Sequence, residues 1–134
     1  MKPYSLGAGQ GRTINYGIDF TLKAGELNPG RGAAFTEYTT RKGEEPPDHT
    51  HPTEDEIFYV LSGELTFRCG GESFDVGEGG FMYLPQAIKH GYTIRSDGDV
   101  RLITVTFPTR SLAGEGWGGF VADMEAQGDP VETA

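Results

Sequence analysis

Residues 56–85 read EIFYVLSGELTFRCGGESFDVGEGGFMYLP, and their punctuation decides the fold. Four short runs of strand-forming residues, EIFYVL, ELTFRC, ESFDV and FMYLP, are separated by Ser62-Gly63, Gly70-Gly71 and GEGG (77–80). Glycine-rich tight turns between such runs make an antiparallel meander. Parity then orients the strands. With Glu56 on one face, Phe58 and Val60 share it, while Ile57, Tyr59 and Leu61 share the other, so both faces are apolar and both should be covered. This strand is expected to be central, with its second face covered by a terminal segment or a second subunit, and a homodimer is the expected assembly. In ELTFRC, Leu65, Phe67 and Cys69 lie on one side and Thr66 and Arg68 on the other, the pattern of a strand wet on one face.

Working outward, INYGIDFTL (14–22) carries Tyr16, Ile18, Phe20 and Leu22 at period two, and AAFTEYTT (33–40) is rich in aromatic and β-branched residues. Both read as strands. GYTIRS (91–96), the turn Asp97-Gly98 and VRLITVTF (100–107) bring the total to about eight strands, spaced as in a sandwich or barrel. The chain is therefore expected to be all-β. Only GWGGFVADMEAQGDP (116–130) reads as helical, with Phe120, Val121 and Met124 on one stripe, Gly128 to stop it and Pro130 beyond.

The 134 residues show no linker-like change of composition, so one domain is expected over 1–134: a segment 1–32 with the first strand, a central 33–108, and a helical tail 110–134. Eleven basic against twenty acidic residues give a formal charge of −9, whose field repels nucleic-acid phosphates and anionic headgroups. Neither nucleic acid nor membrane is expected as a partner. No secretory-type apolar core opens the chain and no run approaches the ~20 apolar residues of a membrane span, so a cytoplasmic location is expected. The single cysteine, Cys69, agrees with a reducing compartment.

Just before the meander lies PPDHTHPTED (46–55), where two of the chain's three histidines stand one residue apart. In an extended segment His49 and His51 project to the same face, and their ring nitrogens can converge on one ion at about 2.0–2.1 Å. A short turn over Pro52–Asp55 would bring Glu56 back on the inner face as a carboxylate ligand. Glu54 and Asp55 compete for that role, and spacing alone favours Glu56 only modestly over Asp55.

The spacing has a further resonance. Gly43, five residues, His49-Thr50-His51, four residues, Glu56, six residues and Gly63 match G(X)5HXH(X)3,4E(X)6G at every fixed position. A second set, Gly79, five residues, Pro85, then His90, follows G(X)5PXG(X)2H(X)3N with two departures, Ala87 for a glycine and Ile94 for an asparagine. These are the two motifs of the cupin superfamily, and over residues 33–108 the chain resembles its small quercetin-dioxygenase-like members. At Ala87 the turn should accordingly not need a positive φ.

The resemblance implies a double-stranded β-helix, or jelly roll, and a divalent transition metal ion, which Fe, Mn, Ni, Co, Cu and Zn could all provide, held by His49, His51, Glu56 and His90. All three histidines of the chain fall on the ligand positions of that motif. It also implies that Glu56 both ligates the metal and accepts the substrate's proton, making it the catalytic residue. Phe58 and Tyr92, at matching parity to Glu56 and His90, would line an apolar pocket for a planar small molecule. The implied reaction is a metal-dependent dioxygenation of an enolisable or flavonol-like substrate, with dioxygen as partner. A non-redox isomerase, lyase or polyketide cyclase using the metal as a Lewis acid, and a non-catalytic small-molecule-binding barrel, stay open beside it. Residues 1–20 and Trp117–Met124 would cap the barrel mouth or pack on a partner subunit.

Overall fold

The computed structural model describes residues 3–24, 33–108 and 120–131. Its elements in chain order are β1 (Arg12–Tyr16), β2 (Ile18–Ala24), β3 (Ala34–Thr40), β4 (Glu54–Ser62), β5 (Leu65–Cys69), β6 (Glu72–Val76), β7 (Phe81–Leu84), β8 (His90–Ile94), β9 (Val100–Pro108), α1 (Phe120–Gln127) and β10 (Asp129–Pro130). The fold is all-β, a jelly roll of two antiparallel sheets. One sheet has seven strands in the order β10-β1-β2-β3-β9-β4-β7, and the other has three in the order β6-β5-β8. Between them lies a core that includes Phe58, Val60, Leu65, Phe67, Val100 and Leu102. No helix among the described residues is long and apolar enough to cross a membrane.

The expected strands are present, with three local differences. The run 14–22 is a hairpin and not one strand: Gly17 takes φ +86°, and Tyr16 pairs with Ile18 and Ile14 with Phe20 across it. A left-handed residue reverses the chain there, and the period-two pattern carries on because the paired strands keep their inward side chains on one face. Next, β4 begins at Glu54, so the turn expected over Pro52–Asp55 is confined to its first residues. Finally, β4 runs between β9 and β7 as expected of an interior strand, but among the described residues no terminal segment covers its second face. Tyr59 is 43% exposed, beside Phe81 at 55% and Tyr83 at 40%. The alternation expected in β5 is observed, with Leu65, Phe67 and Cys69 buried and Thr66 and Arg68 half-buried.

The motif glycines have a structural reason. Gly43, Gly63 and Gly79 take φ of +95°, +100° and +78°, in the left-handed region that costs an L-residue about 1–2 kcal/mol. At Gly63 a Cβ would also come within 2.6 Å of Val100 Cγ2. Ala87, expected to have ordinary dihedrals, instead has φ +63°. The turn keeps the backbone shape that glycine favours, because the Ala87 N–H donates to the His51 carbonyl at 2.8 Å while His90 is held on its other side.

At the C-terminal end, α1 seats Met124 fully inside the core and stops where the Gly128 N–H bonds the Met124 carbonyl at 2.7 Å. Gly128 stands there because a Cβ would strike Ile14 Cγ2 and the Met124 and Asn15 carbonyls, all under 3.0 Å. Pro130 follows in β10, paired with β1. Trp117 and the Val121 side chain, both named in the sequence reading, lie outside the described residues.

Candidate metal centre

Two strands and one loop deliver the polar cluster. His49 and His90 form an isolated antiparallel β-bridge, each N–H donating to the other's carbonyl at 2.9 Å. Residues directly opposite in such a pair send their side chains to the same side of the sheet. Both rings therefore enter the barrel together, 4.7 Å apart between centroids. His51 follows two residues on, its ring stacked on His90 at 5.2 Å with an interplanar angle of 10°. Glu56 enters from β4, whose residues Glu54, Glu56, Phe58 and Val60 share the inward face.

His49, His51, Glu56 and His90 each offer a ligand atom, all within 4.8 Å of one another. His49 Nε2 lies 3.0 Å from His51 Nε2, and Glu56 Oε1 lies 3.3 Å from His90 Nε2 and 3.8 Å from His51 Nε2. Ligands at right angles about an ion at roughly 2.1 Å stand about 3 Å apart, so these spacings fit a shared divalent ion. Two of the remaining ring nitrogens support this. His49 Nδ1 lies 2.8 Å from the Pro47 carbonyl and His51 Nδ1 2.8 Å from Glu54 Oε1. Both contacts put the proton on Nδ1 and leave a bare Nε2 facing inward. Both His90 ring nitrogens are buried with no hydrogen-bond partner, which costs about 1–3 kcal/mol for each group left unpaired, and an ion bound at Nε2 would relieve that nitrogen. The cluster could hold a metal ion. Burial keeps the His49 imidazole below its ordinary value of 6.5, so the neutral form that a metal needs is favoured.

Strand parity separates the competing carboxylates. Asp55 points to the outer face, where it accepts from the Gln86 N–H at 2.8 Å and from the Tyr83 hydroxyl. Glu54 points inward but stands behind His51 rather than in front of it. It was overlooked as a supporting residue, although its period-two match to Glu56 was there to be read.

The cluster opens into a cavity of about 720 Å³ whose walls include Phe20, Tyr38, Phe58, Leu84, Tyr92 and Phe120. Phe58 and Tyr92, the two sequence-predicted pocket residues, are thus on its wall, packed at 5.8 Å on each other and at 5.1 and 5.7 Å on Phe67. Tyr38 was not foreseen. It reaches in from β3 and its hydroxyl pairs with that of Tyr92 at 3.2 Å. Burial pushes the Tyr92 phenol up to about 12 and raises Tyr38 well above its ordinary value, with the neighbouring Tyr92 adding to the rise. Both are neutral donors at physiological pH.

Residues 36–106 match the family model described as Cupin domain. The chain belongs to the cupin family. No curated protein sequence matches it, whereas solved structures do. An RmlC-like cupin from Shewanella frigidimarina superposes with a TM-score of 0.64 at 21% identity, covering 82% of this chain and 94% of that one. The cupin domain of Cnp3 from Schizosaccharomyces pombe gives 0.64 at 17%, covering 79% and 73%. KdgF from Halomonas sp. gives 0.59 at 23%, covering 72% and 84%. At such identities the likeness is one of fold. In this cupin the β-bridge joins the two family motifs, setting His49 of the first against His90 of the second, while β4 carries Glu56 of the first motif to them.

Proposed function

We propose that this cupin is a metal-dependent dioxygenase of the quercetinase-like kind, acting on a small, planar, enolisable or flavonol-like molecule. The observation that carries the reading is the junction of the His49/His51/Glu56/His90 cluster with an aromatic cavity whose described lining contains no lysine or arginine. A phosphate or free carboxylate on the substrate would find no cationic side chain there to pair with. A flat, neutral molecule finds Phe20, Phe58 and Phe120 for its faces and neutral phenols for its oxygens.

A divalent ion among the four ligands would supply Lewis acidity and, with octahedral preference, two open positions for substrate and dioxygen. The protein's own part falls to Glu56 and the two tyrosines. Glu56 Oε1 lies 3.3 Å from His90 Nε2 and 3.8 Å from His51 Nε2, against 3.0 Å between the Nε2 atoms of His49 and His51, so its carboxylate can turn to the cavity. There it accepts the proton of the substrate's enol hydroxyl: that O–H bond breaks, the electron pair stays on the substrate oxygen, and the proton rests on the carboxylate. The Tyr38–Tyr92 pair, with one hydroxyl bonded to the other, keeps one O–H to donate to a second substrate oxygen.

The deciding experiment is metal analysis followed by oxygen uptake with a panel of enols and flavonols. Stoichiometric redox-active metal and substrate-dependent oxygen consumption are expected. Turnover that persists without oxygen on a zinc-loaded protein would overturn the dioxygenase and point to an isomerase, lyase or cyclase.

For assembly, we propose that a second copy of this chain covers the outer face of β4 and β7. Ile57, Tyr59, Phe81, Tyr83, Ile103 and Val105 form an apolar patch there, with Asp55 at its edge bonded to the Tyr83 hydroxyl, on a chain whose net charge of −9 would otherwise hold copies apart.

A further inference from the structure

One buried carboxylate joins two parts of the molecule that the proposed chemistry does not connect. Glu54 is 1% exposed. Its Oε1 stands 2.8 Å from His51 Nδ1 and accepts the Phe120 N–H, the first of helix α1, at 2.6 Å. Its Oε2 is buried with no hydrogen-bond partner. The compensation of this carboxylate therefore rests on one oxygen shared by an imidazole and a helix N-terminus, each of which presents an N–H to it.

We propose that Glu54 is a positioning residue that ties the ligand His51 to the docking of α1, so that metal occupancy and helix seating support each other. The inference rests on the metal reading of the cluster. A divalent ion drawing electron density from His51 Nε2 makes its Nδ1–H a stronger donor, which favours the carboxylate in the place that also receives the Phe120 N–H. Conversely, a seated helix holds Glu54 where it fixes the His51 ring and tautomer. Linkage makes the two effects equal: whatever factor the helix contributes to metal affinity, the metal contributes to helix seating. The consequence reaches the cavity, because Phe120 is both the residue whose N–H caps Glu54 and part of the cavity wall, packed edge-on against Phe20 at 5.3 Å. A loaded centre would thus hold its own pocket closed on that side.

The test uses cobalt(II) as the probe and needs no substrate. Metal-free full-length protein is titrated with cobalt while absorbance reports affinity and ligand geometry, and hydrogen exchange of the peptide over Phe120–Gly128 is compared with and without the ion. In the wild type the ion should slow that exchange. Glu54→Gln keeps the shape but loses the charge, and should bind cobalt about 10–100-fold more weakly, with an altered spectrum and exchange over α1 that no longer responds to the ion. Should this variant fold poorly, Phe120→Pro and Phe120→Ala form a second pair. Proline suits the first position of a helix and removes only the N–H, whereas alanine removes the ring and keeps it. Weaker cobalt binding by Phe120→Pro than by Phe120→Ala supports the link. Wild-type affinity and spectrum in Glu54→Gln, or equal affinities in the Phe120 pair, overturn it. A wild type that takes up no cobalt, zinc, iron or manganese overturns the metal reading itself, and this inference with it.

Discussion

His49 and His90 are cross-strand partners that exchange both backbone hydrogen bonds of a single β-bridge, at 2.9 Å each. Two members of the cluster that could hold a metal, from distant parts of the chain, are thereby set by main-chain bonds that survive any change of side chain. Preorganisation of this kind spares the ion the cost of gathering its ligands. Replacing either imidazole should therefore empty the centre without unfolding the barrel. For His49→Ala and His90→Ala, elemental analysis should find metal far below stoichiometric, with circular dichroism of a folded β-protein. Stoichiometric metal in both variants would remove these residues from the ligand set.

How much of this could be read in advance depends on how local each cause is. The strand runs and turns of residues 56–85 were legible because period-two burial and left-handed glycines act over a few residues, and Leu65, Phe67 and Cys69 face inward as their alternation dictates. The grouping of His90 with His49 and His51 was legible only through the family spacing, since nothing local to His90 announces a bridge to His49. Tyr38 was hidden for the same reason: its meeting with Tyr92 follows from β3 lying in one sheet and β8 in the other. Glu54 was misread with the acidic loop because β4 starts two residues earlier than its apolar run. The Gly17 hairpin was masked by an alternation that continues through the turn.

Ala87 stores strain beside the histidine cluster, its N–H bonded to the His51 carbonyl. With φ +63° it carries about 1–2 kcal/mol that glycine would not, while glycine's freer unfolded chain gives back about 0.4–1 kcal/mol. Ala87→Gly should leave a net stabilisation of about 0.5–1 kcal/mol, seen as a melting temperature a few degrees higher. A lower melting temperature would mean that the Ala87 methyl makes contacts worth more than the strain.

Stability of the metal-free protein should fall with acidification through His49. Burial depresses its folded value below 6.5, so between the two values the unfolded chain binds the extra proton and stability rises with pH. Lowering the pH through this window then removes stability. Thermal melts of metal-free protein between about pH 7.5 and about pH 5 should show a loss that is smaller in His49→Gln. An identical pH dependence in both proteins would show that His49 does not contribute to it.

The open outer face makes a claim about assembly. Tyr59 and Phe81 lie opposite each other across β4 and β7 and are 43% and 55% exposed, which is costly surface for water to cover. Sedimentation velocity is expected to find a dimer, and Tyr59→Glu with Phe81→Glu to convert it to a folded monomer with its metal retained. A wild-type monomer, or a dimer indifferent to both charges, would place the interface elsewhere or nowhere.

The tyrosine pair separates recognition from chemistry. Tyr38 and Tyr92 bond each other at 3.2 Å on the cavity wall, and each carries a methyl-free ring whose shape phenylalanine copies. Tyr38→Phe leaves Tyr92 free to turn its hydroxyl to a ligand, as Tyr92→Phe leaves Tyr38, so each single change should weaken substrate binding only a few-fold. The double change removes both phenol donors from that wall, and a substrate oxygen that one of them paired goes unpaired at about 1–3 kcal/mol. Ligand titration should therefore find a loss of about 10–100-fold in the double variant, more than the product of the single effects, with metal content unchanged. Additive effects of the two changes would mean that the hydroxyls act on separate parts of the ligand, and no effect at all would make the pair a feature of the core alone.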